Sequence, residues 1–243
     1  GGNHDAERLC ADTTRLVEIA ARMFGGLPYR NYLFVLQQVK AGRGGLEHRN
    51  SSVLQFSRFG HTDDKAYHEL LTLISHEHFH VWNVKRIRPR EFVPYDLRNE
   101  TYTRMLWVCE GVTAYYDELL PHRAGLVTRK KYLEQISEEI TRIEQSPGSQ
   151  AQDLEEASLL TWIRFYRPDE DFANSAISYY RKGALVALLL DLEIRRRSGS
   201  ARSLDDVLRA LHARHGDGRT GFDAAEFEAL AADVAGEPLA DFF

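Results

Sequence analysis

His76-Glu77-His78-Phe79-His80 is the stretch on which the reading of this chain turns. On an α-helix, residues i and i+4 stand nearly above one another, so the imidazoles of His76 and His80 can converge on one metal ion with Glu77 beside them as a general base. The flanks predict such a helix, because Tyr67, Leu70, Leu71 and Ile74 recur at helical spacing and no proline intervenes until Pro89. The other nearby histidines fall outside the ligand set. His78 points about 160° from the side shared by His76 and His80, and both His78 and His68 read as solvated or hydrogen-bonded side chains.

A catalytic zinc ion takes three protein ligands and keeps a fourth position open, so two histidines need a partner elsewhere in the chain. Glu110 is the expected third ligand. It lies in Leu106-Trp107-Val108-Cys109-Glu110-Gly111-Val112-Thr113-Ala114-Tyr115-Tyr116, where a carboxylate among apolar and aromatic residues requires a strong partner. Residues 88–99 carry Pro89 and Pro94 and let the chain turn back, so that a second helix bearing Glu110 can face the first.

Taken together, residues 76–89 and 106–111 resemble the glycyl aminopeptidase family of gluzincin zinc metallopeptidases. Two further segments share the resemblance. Gly44-Gly45-Leu46-Glu47-His48 stands in the place of a Gly-x-x-Glu strand that in related aminopeptidases binds the substrate's free α-amine, and Tyr180-Arg181-Lys182-Gly183 matches a Tyr-x-Lys-Gly signature whose tyrosine faces the scissile carbonyl. The resemblance implies an α+β, mostly α-helical, thermolysin-like zinc metallopeptidase catalytic domain with a small sheet. It further implies Zn2+ held by His76, His80 and Glu110, Glu77 as the base, Tyr180 as the oxyanion donor and Glu47 as the amine clamp. The substrates it implies are peptides with a free N-terminus and a small first residue, Gly or Ala.

The chain departs from the wider aminopeptidase pattern in places. His48 stands where Asn usually follows the amine-binding Glu, and 29 residues separate His80 from Glu110, more than is usual. Ala114 occupies the position of the Asp that follows the ligand Glu by four residues in thermolysin-like enzymes, so the group that orients the histidines is left open. Family members are also usually longer, with an N-terminal β-rich domain and a C-terminal PDZ domain. A start at Gly1-Gly2 and an end at Asp241-Phe242-Phe243 are therefore read as those of an excised catalytic region, whose missing flanking domains belong to the full-length protein. Residues 1–243 are expected as one metallopeptidase region, with 1–90 carrying a helix, the small sheet and the zinc-motif helix, and 91–243 forming a helical lobe.

Composition fits this reading. A chain of 243 residues, 43% hydrophobic, can bury a substantial core. A net charge of -5 gives no reason to expect nucleic acid, and the basic run of residues 85–90 is read as cations complementing the C-terminal end of a helix dipole. Cys10 and Cys109 lack metal-ligand spacing and predict no disulfide framework. The longest apolar run, residues 184–190, is far short of the ~20 needed to cross a bilayer and reads as a buried helix. A trimmed N-terminus can have lost a signal peptide, so the compartment stays open between the cytoplasm, the favoured side, and the envelope.

Local patterns supply the remaining elements. A helix over residues 5–24 stops at Gly25-Gly26, and extended segments over 32–39 and 52–59 bracket the glycines of 42–45, predicting a small sheet whose edge carries Glu47. Leu133, Ile136, Ile140 and Ile143 mark a core-packing stripe on a helix over 128–145. Trp162, Phe165 and Tyr166 lead into a loop that either borders the substrate cleft or, as favoured, merely caps the fold, and they are the expected unassigned pocket wall. Tyr179 and Tyr180 open a helix ending near Arg197, and Ser203 with Asp206 and Asp223 with Glu226 form capping boxes on two scaffold helices. Two other readings compete with the aminopeptidase: a zinc endopeptidase or esterase using the same site with Glu47 merely structural, and a non-catalytic fragment acting as an interaction module.

Overall fold

A computed structural model describes residues 2–243, and Gly1 lies outside the described residues. The chain forms two compact units, one of residues 2–81 with 116–135 and the other of residues 82–115 with 136–243.

In the first unit, α1 (Ala6–Phe24) begins at Asp5, whose side chain accepts from the Arg8 N–H, and ends at Gly25, where φ of 79° suits a residue without Cβ. Strands β1 (Leu33–Val39), β2 (Arg43–Glu47) and β3 (Ser51–Ser57) form one sheet in the order β1-β3-β2, with β1 parallel and β2 antiparallel to β3. Alternation along β3 turns Ser52, Leu54 and Phe56 inward, and Leu54 and Phe56 join Leu16, Tyr67, Leu70, Leu71, Leu73 and Ile74 in the core. The last five belong to α2 (Asp64–Phe79), capped by Asp63. Register then does the positioning. Gly45 lies opposite Leu54 and Glu47 opposite Ser52, so both β2 residues belong to the sheet face that packs on α2.

Helix α2 ends earlier than the absence of proline before Pro89 suggested. His80 is its C-cap, still in right-handed helical conformation, and the Val81 N–H turns back to the His78 carbonyl. Shortly beyond, Asn83 Nδ2 donates to the carbonyls of Val108 and Cys109 and to Thr113 Oγ1, bonds that a continuing helix would not make. The basic run is therefore not at a helix end. Arg88 is buried, donates to the Lys85 carbonyl at 2.7 Å and lies over the Tyr95 ring, so packing replaces the expected dipole role.

In the second unit a π-helical turn, Trp107–Gly111, leads directly into α3 (Val112–Arg123), whose later turns belong to the first unit. Helix α4 (Arg129–Glu144) likewise passes from one unit to the other. Its apolar stripe is less covered than expected: Leu133 is 50% and Ile140 38% exposed, and no residue of the helix is fully buried. Short helices α5 (Gly148–Ala151), α6 (Leu154–Leu159) and α7 (Phe172–Ser175) precede α8 (Tyr179–Arg197), which Ser178 caps. Helix α8 buries Gly183, Ala187, Leu190 and Ile194 while Leu189 and Leu192 stay exposed, so it is half-buried on one face and not surrounded. Its buried Asp191 accepts from Tyr115 Oη, Arg195 Nε and the Leu204 N–H, which satisfies the carboxylate.

Helices α9 (Leu204–His215) and α10 (Ala224–Ala235) complete the unit, α9 with a full capping box from Ser203 and Asp206 and α10 capped by Asp223. Among the described residues no helix is long and apolar enough to cross a membrane, and both cysteines are free.

Candidate active site

The motif helix aims its side chains in two directions. On one side, the His76 and His80 rings lie edge to face with centroids 4.7 Å apart, the result of four-residue spacing at the end of α2. On the other, buried His78 meets Tyr29 Oη at 2.8 Å through Nε2 and packs against the Tyr32 and Phe34 rings. Burial pushes the His78 imidazole down to about 3, so it is neutral. Of the two readings allowed for His78 and His68, hydrogen bonding is the one observed. His68 is also buried, its Nδ1 meeting Gln135 Nε2 at 3.3 Å while its Nε2 lies 3.1 Å from the Glu118 carboxylate.

Glu77 is buried between these two directions. The sheet makes room for it: a Cβ added to Gly45 would run into the Glu77 side chain, so a larger residue there would force the carboxylate or the strand to shift. Two residues further, Glu47 occupies the same face. Glu47, Glu77 and His80 each offer one ligand atom, and these atoms lie within 4.8 Å of one another. Two carboxylates gathered so closely create a site suited to a cation, whether a metal ion or a substrate ammonium group.

Asp117 is the site residue that sequence reasoning missed. Its Oδ2 lies 2.8 Å from His76 Nδ1, and burial pushes the carboxyl up to about 6 while the bond to His76 pulls it the other way. The available signal was an acid in the otherwise apolar and aromatic run Tyr115-Tyr116-Asp117, seven residues or about two turns after Glu110. The structure thus supplies a histidine-orienting carboxylate although the expected position holds Ala114.

In the second unit, half-buried Glu110 lies in the π-helical turn and Tyr180 in the first turn of α8. Glycines let these segments meet. A Cβ on Gly111 would fall 2.6 Å from Gly183 Cα, and one on Gly183 would fall 2.9 Å from Gly111 Cα, so the glycine after Glu110 and the glycine of the Tyr-x-Lys-Gly signature are two sides of one backbone contact. Tyr180 is correspondingly raised far above the usual phenol range, first by burial and then by the Glu110 charge. It remains a protonated hydrogen-bond donor at neutral pH. Lys182 serves packing: its Nζ donates to the Ser149 and Gln152 carbonyls and fastens the end of α5 to α8.

Two imidazoles one helical turn apart, one of them with a buried carboxylate on its Nδ1, are donors that suit a divalent metal ion.

No match was found among curated protein sequences. Among solved structures, an aminopeptidase N family protein from Idiomarina loihiensis superposes with a TM-score of 0.95 at 36% identity, covering 100% of this chain and 42% of its own. The chain therefore spans less than half the length of that relative. Yeast LTA4 hydrolase in complex with bestatin shares the fold, with a TM-score of 0.61 at 14% identity over 92% of this chain and 32% of its own. The fold is thus that of thermolysin-like aminopeptidase catalytic domains. The M61 glycyl aminopeptidase family model matches residues 69–186, a stretch that contains the His-Glu motif, Glu110 and the Tyr-x-Lys-Gly signature. By these matches and by the motifs that carry them, the chain is a relative of the M61 glycyl aminopeptidases.

Proposed function

We propose that this chain is the catalytic part of a zinc aminopeptidase that removes Gly or Ala from the N-terminus of peptides. His76, His80 and Glu110 would hold the ion. The observation that carries the reading is the 2.8 Å contact between Asp117 Oδ2 and His76 Nδ1. A carboxylate there fixes the tautomer and ring orientation of a metal-ligating histidine, which would take the metal through Nε2. Glu110 and Asp117 share one continuous helical run about two turns apart, which supports the assignment of Glu110 to the same site.

Zinc bound there supplies a Lewis acid that polarises a carbonyl and lowers the pKa of water from ~15.7 toward ~7. The chain's own groups do the rest. Glu77, lodged beneath Gly45, takes the proton from the attacking water and passes it to the leaving amine. Tyr180 donates its phenolic hydrogen to the developing oxyanion, and loss of one such donor typically costs on the order of 10² to 10³ in rate. Glu47 takes the substrate's ammonium group by a charge-assisted bond, which restricts cleavage to free N-termini. The first test is zinc stoichiometry: one ion per chain for the natural sequence and loss of tight binding in Glu110→Ala support the ligand set, whereas unchanged affinity in Glu110→Ala overturns it.

A further inference from the structure

A cavity of about 400 Å³ in the second unit lies outside the groups assigned above, lined by Glu100, Tyr102, Trp162, Ile163, Tyr166 and Arg167. Its walls are apolar surface that folding leaves in water: Trp162 is 51%, Ile163 60% and Tyr166 57% exposed. The π-helical turn Thr161–Phe165 presents Trp162 and Ile163 outward while Phe165 turns inward. Phe165 stacks on Tyr180 with ring centroids 5.9 Å apart and meets the edge of Tyr166 at 5.4 Å, and Trp162 packs on Tyr166 at 6.0 Å. One aromatic cluster therefore runs from Tyr180 through Phe165 to Tyr166 and Trp162 in the cavity wall.

Charge narrows the occupant. Glu100 is engaged by the Tyr102 hydroxyl at 3.1 Å. Arg167, by contrast, pairs with no carboxylate among the described residues and stands exposed at the cavity rim. An aminopeptidase that accepts only Gly or Ala ahead of the scissile bond needs no large pocket on that side, so an aromatic pocket separated from Tyr180 by the Phe165 ring is left for the part of the peptide that departs.

We infer that this cavity is the subsite for the residue following the scissile bond, taking a bulky apolar or aromatic side chain against Trp162 and Tyr166 with a carboxylate further along the peptide drawn to Arg167. The inference rests on the proposed aminopeptidase activity and adds to it a preference at the second substrate position.

Gly-Phe-Glu and Gly-Gly-Glu test it, by turnover on the zinc-loaded chain and by calorimetric binding to the Glu77→Gln variant. Gly-Phe-Glu is expected to be preferred, and Trp162→Ala is expected to cut kcat/KM for it about tenfold while leaving Gly-Gly-Glu unchanged. Arg167→Gln is expected to raise KM about threefold for Gly-Phe-Glu relative to its amide. Equal effects of Trp162→Ala on both tripeptides, or a change confined to selection among first residues, would overturn the subsite. Binding of Gly-Phe-Glu that depends on Trp162 without any turnover would leave the subsite standing and count against the aminopeptidase reading instead.

Discussion

Asp117 Oδ2 stands 2.8 Å from His76 Nδ1, so the first histidine of the motif is held from behind by a buried carboxylate supplied by α3. Asp117→Asn should keep the fold and weaken zinc affinity about 10- to 100-fold, because the ring loses the partner that raises its basicity and fixes its orientation. Competition with a zinc-binding dye reads the change. Unaltered affinity would remove Asp117 from the site.

Glu77→Gln preserves side-chain volume and removes the base. Zinc content should stay at the level of the natural sequence while kcat falls about 10²- to 10⁴-fold. A variant that stays fast would show that another group takes the proton.

Gly45→Ala tests the crossing of β2 over Glu77. The new methyl would run into Glu77 Oε1, so the carboxylate or the strand has to shift. A displacement of about 1 Å at a catalytic group can cost about 10²-fold in rate, so kcat is expected to collapse with little change in metal content. Full activity in Gly45→Ala would mean that Glu77 works from another position.

The Gly111–Gly183 contact predicts a stability effect with a coupling signature. Either glycine replaced by alanine pushes backbone against backbone at under 3 Å and should cost about 1–3 kcal/mol, or roughly 2–4 °C in Tm for each kcal/mol. Once one methyl has separated the segments, the second should cost less, so the double variant should be less destabilised than the sum of the singles. Strict additivity in thermal melts would argue that the contact is not shared.

Much of this architecture is legible in local sequence because local chemistry decides it. The glycines and β-formers of residues 32–59 announce a small sheet with Glu47 at its edge, and Tyr179 and Tyr180 ahead of the apolar run 184–190 announce α8. What local reading misses depends on partners distant in the chain. Helix α2 stops at Phe79 well before any proline, and Asn83 just beyond is tied to carbonyls some 25 residues later. Asp117 looks like any acid after two tyrosines until its bond to His76, 41 residues away, is seen. Periodicity shows which face of α4 and α8 is apolar, but how much of that face is covered depends on what packs against it, and Leu133, Ile140, Leu189 and Leu192 stay substantially exposed.

The central claim is tested most directly by hydrolysis of glycyl and alanyl anilides by the zinc-loaded chain, with free and N-acetylated substrates compared side by side. Cleavage confined to the free forms, abolished by Glu77→Gln, is the predicted result. Equal cleavage of the acetylated forms would contradict the Glu47 clamp and the aminopeptidase assignment, and cleavage of neither form would contradict catalysis by this chain.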